Sequence, residues 1–166
     1  KNFYLFSKKS FKKIQDNDQI IFLLAPTNVK KIEGKKKFFI KYNNKIKKIL
    51  KLINRNVYIL YISSDYVYSG NQNIYNDNSI ARPINLYGKL KFDIEKFIKK
   101  NFNNYIILRS PKIYSNNNTL DTIYGDIYNK LKKGIKFQVF YDQKIQLLNL
   151  NDFLIIILKI LKKTPK

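Results

Sequence analysis

Apolar runs alternate with amphipathic runs along this chain. Residues 19–25 (QIIFLLA) form a short, nearly continuous apolar stretch, the pattern of a strand buried on both faces. Over 37–53, Phe38, Phe39, Tyr42, Ile46, Ile49, Leu50 and Ile53 recur among lysines at helical spacing. The β-branched and aromatic run 57–62 (VYILYI) predicts a second strand. A long polar loop covers 63–85. Residues 86–100 then read as a helix with Leu90, Ile94, Phe97 and Ile98 on one face. A third strand is expected at 105–108. An Asn-rich loop at 115–119 leads to a helix near 120–131, which Gly134 ends. The tail predicts a strand at 136–141, a further short one at 145–148, and a helix over 153–161 capped by Asn151 or Asp152.

Strands alternating with helices of this length predict an α/β fold built from βαβ units around a parallel sheet. Ligands of such sheets bind at the carboxyl ends of the strands. Those ends are expected at 25–27, 63–66 and 109–112. No internal repeat or interdomain linker is visible.

Composition narrows the chemistry. The 166 residues are 45% hydrophobic, enough for one domain with a core. Cys and His are absent. That excludes a disulfide framework, thiolate zinc, imidazole ligands and a Ser-His-Asp triad. No tight carboxylate cluster appears, so no metal site is expected. The net charge is +22, whose direct physical meaning is attraction to polyanions. The lysines are scattered, however, and greatly outnumber the three arginines, which are the better forks for reading bases. Abundant Lys, Asn, Ile, Tyr and Phe, with no Trp, Cys, His or Met, is the profile of an AT-rich coding sequence. Nucleic acid is therefore not the expected partner. A chain with no Met is expected to be a fragment of a longer product. No apolar run approaches the ~20 residues of a membrane span, so a cytoplasmic location away from membranes is expected.

One pair of residues suggests catalysis. Tyr87 and Lys91 stand four apart near a helix start and share a helix face. A phenol with an ordinary pKa near ~10 is a poor acid or base at neutral pH. An adjacent ammonium stabilises the phenolate and lowers that value, which would let Tyr87 act as a general acid or base. Ser64, at the end of the preceding strand, could hold a substrate oxygen beside it. In a chain with 13 Tyr and many Lys such a pair arises readily by chance, so its setting decides.

That setting is 61–70 (YISSDYVYSG) and 74–98 (IYNDNSIARPINLYGKLKFDIEKFI). Tyr75, Asp77, Pro83, Tyr87, Gly88, Lys91 and Glu95 fall in an order that resembles the extended short-chain dehydrogenase/reductase family of sugar-nucleotide enzymes. The segment 18–33 is similar to that family's fourth strand and following helix. Asn43 or Asn44 falls near its supporting helix Asn. The segment 105–115 resembles its strand ending in R-x-x-x-V-Y-G, and 148–161 its late V-x-D-V-A segment, with Asp152 as the Asp. Ser64-Asp65-Tyr66 lacks the Glu of the dehydratases and looks more like the dTDP-4-dehydrorhamnose reductase branch. Lys112 stands where that branch has Trp, and its late Pro-Thr is absent after Gln143.

The resemblance implies a partial Rossmann-type domain over 1–166, a parallel sheet with flanking helices that lacks the first βαβ unit, with C-terminal substrate-binding elements from about 110 to 166. It implies an NAD(P)-dependent 4-keto-sugar reductase acting on a nucleotide sugar, catalytic at Ser64, Tyr87 and Lys91. The cofactor, NAD or NADP, would meet Ala25, Pro26, Thr27, Tyr87 and Lys91. The sugar would meet Ser64, Asp65 and Tyr66. A homodimer fits the family. None of the five glycines has the G-x-x-G-x-x-G spacing that brings a pyrophosphate against a helix N-terminus. Weak or absent NAD(P)H binding by this chain alone is therefore expected. A sugar-nucleotide epimerase, a non-catalytic relative that binds a nucleotide sugar or partner, and a basic nucleic-acid-binding domain are the alternatives.

Overall fold

A computed structural model describes residues 14–24, 29–115, 123–138 and 144–163. The chain divides into two compact units, one ending at Arg109 and one running Ser110–Pro165.

In the first unit, β1 (Gln19–Phe22) is followed by α1 (Val29–Gly34), α2 (Lys36–Leu50), β2 (Tyr58–Ser64), a one-turn 3-10 helix (Asp65–Val67), α3 (Leu86–Asn101) and β3 (Asn104–Ser110). The strands form one sheet in the order β1-β2-β3. β1 and β2 are parallel, with Gln19 opposite Tyr58 and Phe22 opposite Tyr61. β2 is central, and every residue from Ile59 to Ser64 is buried. Burial on both faces is what its unbroken apolar run requires. Ile59 and Tyr61 join Phe22, Ile46, Leu50, Ile94, Ile98 and Phe102 in the main core. α2 contributes Ile46 and Leu50 four apart, and α3 contributes Ile94 and Ile98 four apart, so each helix turns one stripe inward. A second cluster joins Ile32 of α1, Phe39 of α2 and Leu86 of α3, with Tyr87 and Leu90 packed against it.

The start of α3 is held from two directions. Asn85 is its N-cap, and its Oδ1 accepts from the Gly88 N–H at 2.8 Å. Glu33 Oε1 accepts from the Leu86 N–H at 2.6 Å. Two of the first-turn donors that a helix leaves unpaired are thereby satisfied. Asn85→Ala should cost about 1 kcal/mol, measured by urea denaturation. An unchanged midpoint would mean that Glu33 alone fixes this end.

In the second unit, β4 (Lys112–Tyr114) pairs in parallel with β5 (Leu147–Asn149). Beside these strands lie α4 (Ile123–Lys132) and α5 (Leu150–Lys163), the latter burying Phe153 and Ile157. Two expectations fail here. Lys136, Phe137 and Gln138 are irregular, not strand, and 139–141 lie outside the described residues. The final helix starts three residues early, so Asn151 and Asp152 sit within it. Asn149 makes the capping bond instead, its Oδ1 accepting from the Asn151 N–H at 2.9 Å.

Candidate functional site

β2 ends in two buried serines, and α3 begins over them. Ser64 is the N-cap of the 3-10 turn, and its hydroxyl oxygen accepts from the Tyr66 N–H at 3.3 Å. The Ser64 hydroxyl donates to Asp65 Oδ1 at 2.9 Å, and its side chain stands near enough to the Tyr87 phenol to favour the ionised form. The Tyr66 and Tyr87 rings meet edge to face, centroids 5.4 Å apart. Gly88 makes this approach possible. A Cβ there would lie 2.0 Å from the Tyr66 carbonyl oxygen and 3.0 Å from Pro83 Cβ.

Tyr87, Lys91 and Glu95 follow one another at i, i+4 and i+8 on the α3 face toward β2. Lys91 is buried, and its Nζ donates to the Ile62 carbonyl at 2.9 Å. It lies 5.3 Å from the Tyr61 ring centre and 5.9 Å from that of Tyr87. Burial pushes Lys91 down to about 8, against an opposing pull from Glu95. The expectation that Lys91 lowers Tyr87 is not met in this geometry. Burial leads and raises the phenol, with Ser64 opposing it and Asp65 and Tyr66 adding to the rise. Lys91 sits below the ring and spends one donor on a backbone carbonyl.

Beneath Lys91 lies a group that sequence reading did not assemble. Glu95 is fully buried. Its Oε1 accepts from the Ser63 hydroxyl at 2.6 Å and from Arg109 Nε at 3.1 Å, and its Oε2 from Arg109 Nη2 at 2.7 Å. Arg109 Nη1 donates to the Tyr68 hydroxyl at 2.9 Å, with the guanidinium 5.0 Å from the Tyr68 ring centre. Tyr68 stacks on Tyr75 at 4.3 Å. A carboxylate on the apolar α3 stripe was the available signal, since a buried charge demands a partner. Which partner could not be read, because Arg109 comes from another element.

The structure thus brings Ser64, Asp65, Tyr66, Tyr87 and Lys91 together. Ala25, Pro26 and Thr27 lie outside the described residues. Of the two candidate asparagines, Asn43 is buried and donates to Asp93 Oδ2 at 2.7 Å, whereas Asn44 is exposed. Among the described residues no three Asp or Glu side chains cluster as a metal site would require, and no helix is long and apolar enough to cross a membrane.

Comparison with known proteins identifies the family and the fold. The profile of the RmlD substrate binding domain matches residues 7–164. A hypothetical dTDP-4-dehydrorhamnose reductase from Sulfolobus tokodaii is similar with a TM-score of 0.75 and 28% identity, covering 90% of this chain and 53% of that one. The UDP-glucuronic acid 4-epimerase from Bacillus cereus, solved with UDP-glucuronic acid and NAD, shares the fold with a TM-score of 0.76 at 20% identity, over 95% of this chain and 52% of its own. Among curated proteins, methionine adenosyltransferase 2 subunit beta from Xenopus laevis is 42% identical over 57 residues, which are 34% of this chain and 17% of that relative. The chain spans about half the length of the solved structures it matches.

Proposed function

Because the chain belongs to the RmlD substrate binding domain family, whose solved neighbours are sugar-nucleotide reductases and epimerases, we propose that it forms the acid–base and sugar-binding part of a 4-keto-sugar-nucleotide reductase. The observation that carries this reading is the convergence of Ser64, Tyr87 and Lys91 at the carboxyl end of the central strand.

The chain's own residues divide the work. Ser64 would turn its one hydroxyl proton from Asp65 to the sugar carbonyl oxygen, and Tyr87 would protonate that oxygen as it becomes an alkoxide. A phenol raised by burial is protonated at neutral pH. An alkoxide is a stronger base than a phenolate, so the proton moves downhill. The ammonium of Lys91 then faces a buried phenolate and stabilises it. Asp65 and Tyr66 would border the sugar.

The residues fit one end of a nicotinamide cofactor. Lys91 is buried and donates to the Ile62 carbonyl, and an ammonium has three donors, so two could serve a ribose diol. The pyrophosphate end finds no glycine turn in this chain. When bound, NAD or NADP supplies the hydride. The proposed partner is a nucleotide sugar, and a homodimer remains part of the proposal.

A second reading, a non-catalytic subunit that binds a partner protein, is favoured by one observation: a curated relative is named as a subunit of another enzyme. Incubation of a 4-keto nucleotide sugar with NAD(P)H and a preparation containing this chain separates the readings. A reductase oxidises cofactor in step with reduction of the 4-keto sugar, an epimerase given the 4-hydroxy nucleotide sugar with NAD instead returns an isomer with no net change in cofactor, and a partner-binding subunit does neither. The reductase rate should fall as pH rises through about 8, where Lys91 loses its proton. A rate flat to pH 10 would remove Lys91 from the proposal.

A further inference from the structure

The buried pair beneath Lys91 lies outside the acid–base group just described, and its geometry bears directly on that group. Glu95 follows Lys91 by one helical turn on the same face. Two buried opposite charges so placed would ordinarily pair. Here no ion pair joins them among the described residues. Glu95 gives one oxygen to Arg109 Nη2 and the other to Arg109 Nε and Ser63, while Lys91 donates to the Ile62 carbonyl. A bidentate guanidinium fork is the strongest partner a carboxylate finds in a protein. The side chain that makes it is tied down in turn, by the Tyr68 hydroxyl and ring.

We propose that Arg109 is a positioning residue for the Lys91 amine: by occupying both oxygens of Glu95 it withdraws from Lys91 the anion that would otherwise clamp and fully protonate it, leaving the amine free to turn toward Tyr87 and a bound ligand. Other groups around Lys91 do not supply that anion. Tyr61, from β2, presents its ring, and burial keeps its phenol neutral. Tyr87, on α3, is likewise protonated. Asp93, also on α3, is bound to Lys47 and Asn43 of α2. Asp65, in the turn after β2, holds the Ser64 hydroxyl. Glu95 is the one full negative charge on the Lys91 face of α3, and Arg109 neutralises it.

The sign of the effect follows whichever of the two groups carries the proton. Without Arg109, the last deprotonation of the Lys91–Glu95 pair leaves a lone buried carboxylate, which is costly. The pair therefore holds its proton to higher pH. Without the Glu95 charge, Arg109 stands as an uncompensated cation, and Lys91 gives up its proton at lower pH.

Lys91 can be followed in the isolated chain by the pH dependence of its Cε and Hε NMR shifts, assigned with Lys91→Gln. R109Q should raise its proton affinity about tenfold or more, and E95Q should lower it by a similar factor. E95L/R109L, which removes both charges, should titrate close to wild type. A merely structural role gives a different result, because loosening the packing hydrates Lys91 and raises its affinity in both single variants. A same-direction shift in the two, or none, overturns the proposal. Should R109Q fail to fold, E95Q against E95L/R109L decides alone: the single variant must titrate lower than the double. The inference rests on the proposed role of Lys91. A correct titration pattern in a chain that supports no turnover leaves the electrostatic device standing and removes the reductase. Turnover with an unmoved titration removes only the device.

Discussion

Tyr87→Phe should lower kcat by roughly 10²–10⁴-fold in any preparation that reduces a 4-keto nucleotide sugar, with little change in the Kd of either ligand. The substitution removes one oxygen. The ring remains, and with it the edge-to-face contact with Tyr66 and the packing against the Ile32, Phe39 and Leu86 cluster. What disappears is the proton donor, the phenolic O–H beside Ser64. An effect confined to kcat is the mark of a group that acts in the transition state. Turnover within about tenfold of wild type would take Tyr87 out of the acid role. A large rise in KM would make its hydroxyl a binding group instead.

Gly88→Ala should unfold the junction that presents Tyr87. In an open helix the change would stabilise, since alanine is favoured over glycine by about 1 kcal/mol. Here the added carbon would stand 2.0 Å from the Tyr66 carbonyl oxygen and 2.8 Å from its carbon. Both are backbone atoms and cannot rotate away. Either α3 retreats from the 3-10 turn, losing the Asn85 bond to the Gly88 N–H, or the turn itself moves. Overpacking of this kind costs about 3 kcal/mol, which outweighs the helix gain. For a chain of this length that is a fall in Tm of roughly 6–12 °C, readable by circular dichroism. A Tm equal to or above wild type would show that the two segments do not touch.

The two substitutions also mark how far the sequence could be read. α3 was legible almost to the residue, expected at 86–100 and found at Leu86–Asn101, because its apolar stripe and its polar lead-in both signal a helix. Tyr87 and Lys91 were legible for the same reason, since helical spacing alone puts them on one face. β2 runs two residues beyond its apolar segment, through Ser63 and Ser64. Hydroxyls at a buried strand end need partners, and Ser63 finds its own on Glu95 of another element. That long-range pairing leaves no periodic trace. The same holds for Glu95 and Arg109, and for the three-residue strands β4 and β5, which are too short to show alternation. Local patterns were readable. Groups defined only by meeting in space were not.

The parallel pairing of β1 with β2 carries a further consequence, for how the chain reaches its fold. Residues facing each other across that ladder, such as Gln19 and Tyr58, stand roughly forty positions apart. No hairpin can nucleate such a ladder. The crossover through α1 and α2 has to fold back before the first rung closes, so loop entropy is spent ahead of the strand contact. Refolding should be slow for a chain of this size, and the apolar β2 segment stays uncovered meanwhile, a hazard for association between chains. The lysines of α2, with no acid among them, charge that waiting intermediate with one sign. Mutual repulsion would keep neighbouring copies apart until the strand is covered, giving the surplus positive charge a use that requires no bound partner.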